Sequence, residues 1–537
     1  MFAVMGAFGL SLLAGCDESP ELRGGGPNGP NNPDNPDGRL TIDGSEPTDG
    51  ADANTFPSVA PFEWVGVIST GQSLSVGYAA GPAVSTTQPF NNKKLVDNGP
   101  VPQYPIDGNG AIYELAPLTE PFRVRSLPGY AGSEEQYPNN IWGETPNAGM
   151  ANEISSLWLA RTGKEYVTIH SNVGWSGHAL SFIDKRGGTG KAYPASLTEA
   201  RTLTAMAKAA GKTFGYGAVI LTHGESDSTN PDYGTGLVNL INDYNEDLKT
   251  ITGQTRDVVL LVSQQSTLAD GVNGGSARLV WEAANANPTR IVCTGPKYQY
   301  DYADDRLHFP AASYRALGEK YAEVFDEIVN KGRAWKPVQP KTVARSGKTI
   351  TIDFDVPSPP LAWDETLAPP HQGAHTGWSQ GRGFEVRNGG TELAIASVEL
   401  SGPTQVKITL AADPGSASLG LGYAITQDGT GFWGGEPSGL RGQLFDSDEL
   451  VGYDEETIEV TATNGSATIT KAGAFANRGL RDVVTASGLP KNVRIAAKPS
   501  NDSITLSTPW PGATGPATIK IHHDLHNYGV QFFLAVP

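Results

Sequence analysis

Cysteine is nearly absent: Cys16 and Cys293 are the two in 537 residues. A cysteine-based zinc site is thereby excluded, and the nine histidines show no H-E-x-x-H or comparable pair, so no metal is expected. Charge is also sparse, at 18% of residues, and what there is leans acidic: 57 Asp plus Glu against 39 Lys plus Arg leaves a net charge of −18. A nucleic-acid or anionic-membrane binder needs a basic face, which this balance argues against. What the chain has in excess is chain-breaking residues. Its 65 Gly and 39 Pro make about a fifth of the whole, against a usual share of roughly 12%, so turns, loops and strands should outnumber helices.

Long apolar runs are missing too. Phe2 to Leu13 is too short to span a bilayer as a mature helix and reads as a signal peptide. It ends in Leu13-Ala14-Gly15-Cys16, which resembles the lipobox of bacterial lipoproteins, although no Lys or Arg precedes it. That resemblance makes 1–16 a lipoprotein signal segment, cut just before Cys16, which becomes the lipidated first residue, and it implies a location at the bacterial cell envelope, lipid-anchored or secreted. The next stretch, 17–60, carries GGGPNGPNNPDNPDG, buries too little apolar surface to fold, and reads as a disordered tether. With Cys16 lipidated, no disulfide is possible in the monomer. Cys293, inside the apolar run Arg290-Ile-Val-Cys-Thr294, reads as a buried strand residue.

Between residues 61 and 335 β-rich runs alternate with helical patterns. Glu63 to Ser69, Glu165 to Ser171, Tyr216 to Thr222, Asp257 to Ser263 and Thr289 to Thr294 read as strands, with helical spacing in Ala195 to Gly211, Leu237 to Thr252, Ser276 to Ala286 and Ala311 to Asn330. The alternation predicts an α/β domain of three layers, flavodoxin-like, around a five-stranded parallel sheet. Gly81 to Pro146, dense in Pro, Asn and Gly, reads as a long surface excursion near the site. After Lys336 the texture becomes short strands split by Gly, Pro, Asn and Asp, which predicts a β-sandwich-type accessory region at 336–454 and a second small β-rich unit at 455–519. The apolar end, Tyr528 to Pro537, fits two arrangements: 520–537 completes the first β-unit, making the second an insertion, or the units follow one another.

Four segments at expected strand ends carry chemistry. Gly71-Gln72-Ser73 follows the first strand, where a serine has its hydroxyl exposed and backbone N–H groups free for an oxyanion, and where serine is also a common helix cap. Asp305-Arg306-Leu307-His308 precedes the last helix and holds a base that could activate the serine and an acid that could orient that base; the alternative is an incidental pair on a solvated loop. Thr222-His223-Gly224-Glu225-Ser226-Asp227 and Asn172-Val-Gly174-Trp-Ser-Gly177-His178 end two middle strands, each able to present a donor or simply to turn the chain.

Together these blocks resemble the SGNH, or GDSL-type, hydrolase superfamily, in particular its sialate O-acetylesterase-like and acetylxylan-esterase-like branch, over about residues 62 to 334. The resemblance implies Ser73 as nucleophile, His308 as general base and then acid, and Asp305 as orienting acid, with Asp301 and Asp304 as possible substitutes. It implies an oxyanion hole of the Ser73 and Gly177 N–H groups with the His223 side chain, which stands where the family has Gln. The implied function is a serine esterase removing O-linked acyl groups, acetyl foremost, from carbohydrate through an acyl-enzyme. The alternatives are a lipid or aryl-ester hydrolase of the same superfamily and a non-catalytic surface glycan-binding protein. No cofactor is implied; the partners are an acylated carbohydrate and a membrane reached only through the lipid, with no nucleic acid. Trp175, Tyr298, Tyr300 and Tyr302 could stack on sugar rings or serve as packing; His170 and His178 read as structural.

Overall fold

The computed structural model describes residues 62–97, 113–122, 143–187, 192–268, 274–428 and 440–537. The signal segment, Cys16 and the tether lie outside them. The N-terminal part runs β1 (Trp64–Gly71), β2 (Lys93–Asp97), β3 (Tyr113–Pro117), α1 (Pro146–Thr162), β4 (Val167–Asn172), α2 (Leu180–Ile183), α3 (Ala192–Ala209), β5 (Phe214–Thr222), α4 (Tyr233–Thr252), β6 (Val259–Val262), α5 (Gly275–Ala286), β7 (Ile291–Cys293) and α6 (Ala311–Phe325). The strands form one sheet in the order β3-β2-β4-β1-β5-β6-β7. Every neighbouring pair is parallel except β2 with β3.

The sheet therefore has seven strands rather than five. Five stand where the apolar runs put them, and among themselves they take the order 2-1-3-4-5 of flavodoxin-like sheets. The other two come from the segment read as a surface excursion. Lys93–Asp97 and Tyr113–Pro117 pair antiparallel at the sheet edge, and runs this short in a Pro- and Gly-rich setting carry no usable periodicity.

Alternate residues of each strand serve opposite faces. Val65, Val67, Ala218 and Ile220 pack with α1 and α6, while Ile68, Val219 and Leu221 pack with α3, α4 and α5. With both faces covered, the central strands read as continuous apolar runs. Buried Cys293 lies on β7, and burial pushes its thiol up to about 12, so it is packing rather than a nucleophile. Two glycines set α6 against α1: a Cβ on Gly149 would stand 2.3 Å from the Arg315 carbonyl oxygen, and one on Gly318 2.1 Å from that of Pro146. The helices thus meet backbone to backbone, which places the loop that leads into α6.

Beyond α6 the chain is β-rich. Ile395–Gly402, Gln405–Leu410, Thr349–Asp355 and Gln339–Ser346 form one four-stranded antiparallel sheet, and Thr391–Glu392, Phe384–Asn388, Leu419–Tyr423 and Phe532–Val536 form another. The two face each other across Phe354, Phe384 and Phe532, and Phe532 meets Trp281 of α5, so their core runs into the helical layer beneath. Between Leu419–Tyr423 and its partner Phe532–Val536, the sequence makes a six-stranded sheet from Glu456 to His522 with an apolar core of its own.

Candidate active site

β1 ends in a backbone that only glycine tolerates easily. Gly71 has φ 139°, and a Cβ there would lie 2.2 Å from the Thr222 carbonyl oxygen of β5. The chain then turns at once: Ser75 N donates to the Gln72 carbonyl at 2.8 Å, and Ser73–Ser75 form a single 3-10 turn. Ser73 is thereby set at the carboxyl end of β1, beside β5, where the direction of sheet growth reverses, the place at which open α/β sheets generally bind ligands.

His308 arrives from the loop between β7 and α6. Asp305 folds that loop with one carboxylate oxygen, Oδ1, which accepts from Leu307 N at 3.0 Å and His308 N at 2.9 Å. Its other oxygen accepts from His308 Nδ1 at 2.7 Å. This bond assigns the proton to Nδ1 and leaves Nε2 as an acceptor, and Nε2 lies 2.7 Å from Ser73 Oγ. Burial alone would raise the Asp305 carboxyl; the bonds from the His308 side chain and backbone outweigh it and hold it at about 2. Asp305 is therefore charged throughout the neutral range, so it can stabilise an imidazolium on His308. The Tyr78 ring lies 4.4 Å from the imidazole and braces it.

Of the two substitutes for Asp305, Asp301 is committed elsewhere, accepting from Arg481 Nη2 at 2.9 Å and Leu480 N at 2.7 Å. Asp304 is exposed.

The oxyanion side differs from expectation at one residue. His223 is fully buried; its Nε2 lies 3.0 Å from the His178 carbonyl, which can only accept, and its Nδ1 lies 3.1 Å from Tyr233 Oη. Both nitrogens are engaged, so His223 has no proton to give a substrate and is withdrawn from the hole. Its position beside β5 is legible in sequence, but its orientation is set by packing between Tyr233 and the 175–178 turn. Among the described residues, the N–H groups of Ser73 and Gly177 donate to no protein acceptor, and Gly177 sits at φ 72°. Gly174 is the glycine pressed against the serine segment, where a Cβ would lie 1.9 Å from Ser75 Oγ; its N–H turns to Asn172 Oδ1 at 3.3 Å.

Supports of the site that sequence reasoning passed over lie inside the same blocks. Gln72 Oε1 accepts from Ser226 N at 3.0 Å, tying β1 to the loop after β5. Asn172 Nδ2 donates to the Ser75 carbonyl at 2.8 Å. Glu225 pairs with buried Lys297 at 2.7 Å. Residue type hinted at none of these pairings. Tyr298 and Tyr300 are core residues, Tyr298 donating to the Gly529 carbonyl at 2.6 Å. Trp175 is stacked on His178 at 4.0 Å. His170 is buried and held neutral, burial pushing it down to about 3.

One group among the described residues, Glu319, Asp454 and His523, brings ligand-type atoms within 4.8 Å of one another. Arg315 donates to His523 Nε2 at 3.0 Å and to Asp454 Oδ2 at 2.9 Å, so the cation at that place is a guanidinium.

No family model and no curated protein matches the chain. Among solved structures it is similar to a carbohydrate acetylesterase from Xanthomonas citri, at 14% identity, TM-score 0.43, over 67% of this chain and 75% of that one. It is also similar to a protein from Arabidopsis thaliana, at 17% identity and TM-score 0.34, over 49% of this chain and 98% of that one. A third is the native aryl esterase of M. smegmatis, at 14% identity and TM-score 0.27, over 48% and 97%. At these values the weight falls on the geometry of the site.

Proposed function

We propose that the protein is a serine esterase that removes O-linked acyl groups, acetyl foremost, from carbohydrate hydroxyls through an acyl-enzyme. The observation that carries the reading is the chain of two 2.7 Å contacts from Ser73 Oγ through His308 to Asp305. Ser73 Oγ attacks the ester carbonyl while His308 Nε2 takes its proton, and Asp305 holds the Nδ1–H and the imidazolium. The oxyanion is received by the Ser73 and Gly177 N–H groups. When the intermediate collapses, the bond to the sugar oxygen breaks and His308 protonates that oxygen. Water, deprotonated by the same imidazole, then frees the acid and restores Ser73. Acetyl on a sugar is favoured by the sequence blocks and by the paucity of large exposed apolar side chains among the described residues, where Leu159, Phe182 and Val451 stand out; a lipase-like surface would be broader.

The test is hydrolysis of an acetylated xylo-oligosaccharide alongside aryl esters of increasing acyl length, with a serine-reactive phosphonate mapped by mass. Acetate release together with adduct on the Ser73 peptide supports the reading. Labelling elsewhere, or no hydrolysis of any ester, overturns it; preference for long acyl chains replaces carbohydrate by lipid. Tethering at Cys16 to the cell envelope belongs to the same proposal and rests on sequence alone; fatty-acid labelling lost in Cys16→Ala supports it, and equal labelling of both forms refutes it.

A further inference from the structure

A continuous path of bonds leads from the far end of the chain to the nucleophile segment. Gln531, fully buried just before the last strand, is held by Gln264 at the end of β6: Gln531 N donates to Gln264 Oε1 at 2.8 Å, and Gln264 Nε2 donates to the Gln531 carbonyl at 2.8 Å. The Gln531 side chain bridges the two regions, its Nε2 donating to the Ala424 carbonyl at 2.9 Å and its Oε1 accepting from Ser266 Oγ at 3.1 Å. Ser266 Oγ in turn accepts from Lys297 N at 3.1 Å, and Lys297 Nζ donates to Glu225 at 2.7 Å. The residue after Glu225 donates its N–H to Gln72, the neighbour of Ser73. Each side chain on the path is at least nine-tenths buried, so water replaces none of these partners cheaply.

We propose that Gln531, the residue leading into the C-terminal strand, is a positioning residue of the active site, setting Ser73 against His308 through Ser266, Lys297, Glu225 and Gln72. The inference rests on the esterase reading. Removing the Gln531 acceptor frees the Ser266 hydroxyl, which loosens Lys297 at its backbone and lets the Glu225–Ser226 loop shift. The serine then leaves its attack geometry by a fraction of an ångström, which lowers turnover more than binding.

The test compares full-length variants on one soluble acetyl ester. Gln531→Met should lower kcat about ten-fold with KM within two-fold. Ser266→Ala should do the same, and the double variant should be no worse than either, because both cut one path. Val536→Ala, on the last strand but off the path, should lower Tm and leave kcat within two-fold. Gln531→Met and Ser266→Ala both within two-fold of wild type overturn the proposal, as do losses that multiply in the double variant or an equal kcat loss in Val536→Ala. Should Gln531→Met not fold, Ser266→Ala alone decides. A wild-type protein that neither hydrolyses esters nor takes phosphonate overturns the esterase reading itself and this inference with it.

Discussion

Two histidines in this molecule hold the same local pose and face different partners. His308 has its Nδ1 on Asp305 at 2.7 Å, and His523 has its Nδ1 on Asp482 at 2.7 Å. The difference lies at the other nitrogen. His308 Nε2 meets the hydroxyl of Ser73, which has a proton to lose, beside an Asp305 side chain 43% exposed to solvent. His523 Nε2 receives the Arg315 guanidinium, which keeps its protons at any working pH, in a seam where Asp454 and Asp482 are equally buried. An Asp–His pair is therefore only half of a catalytic device; the partner of the second nitrogen and a path for substrate make the rest. The seam pair instead fastens α6 to the six-stranded sheet.

The comparison breaks most visibly at Ser73, the proposed nucleophile. Ser73→Ala should lower turnover by about 10⁴-fold or more, since only binding and the oxyanion donors remain. Its Tm should stay close to wild type, and retention of a tenth of the activity would remove Ser73 from the role. Asp305→Asn comes next, with a loss of roughly 10² to 10⁴-fold through the missing charge and the wrong tautomer, whereas exposed Asp304→Asn should cost little. Steady-state rates on one ester check both, and a larger loss at Asp304 would reverse the assignment.

At the other histidine the effect should be on stability. Arg315→Met takes one of two buried guanidinium groups from Asp454, which keeps Arg478 at 2.7 Å, and leaves His523 Nε2 without its donor, so it should destabilise by about 1 to 3 kcal/mol, read by urea unfolding. Phosphonate should still label Ser73 in the folded fraction; a stable variant that no longer reacts would make the seam part of the chemistry.

The most gradual effect, spread over several pH units, is in the pH dependence of the same seam. Glu153 accepts from Tyr453 N at 2.6 Å, and burial, aided by the charges of Asp454, Glu323 and Asp326, pushes its carboxyl up from 4.5 to about 8. The folded state thus holds a proton that the unfolded chain releases near pH 4.5, and stability contributed by this group falls as pH rises from there to about 8, then levels. Glu153→Gln should flatten that fall by up to about 1.4 kcal/mol per pH unit. Parallel unfolding profiles for the two proteins would show that Glu153 does not hold the proton.

What the sequence by itself determined is local. Apolar runs placed five strands because burial on both faces leaves an unbroken apolar stretch, and D-x-x-H at Asp305 was legible because a three-residue turn lets one carboxylate reach the backbone and ring of His308. The two edge strands escaped, since five-residue pairs among Pro and Gly show no such stretch. Tertiary structure alone decided which groups meet across long separations. Ser73 and His308 stand 235 residues apart in the chain, His223 turns to Tyr233 and the His178 carbonyl, and Gln531 reaches back to Ser266. Residue identity supplies donors and acceptors, but where a buried side chain points depends on which partner the packed chain brings within 3 Å, and no short-range pattern encodes that.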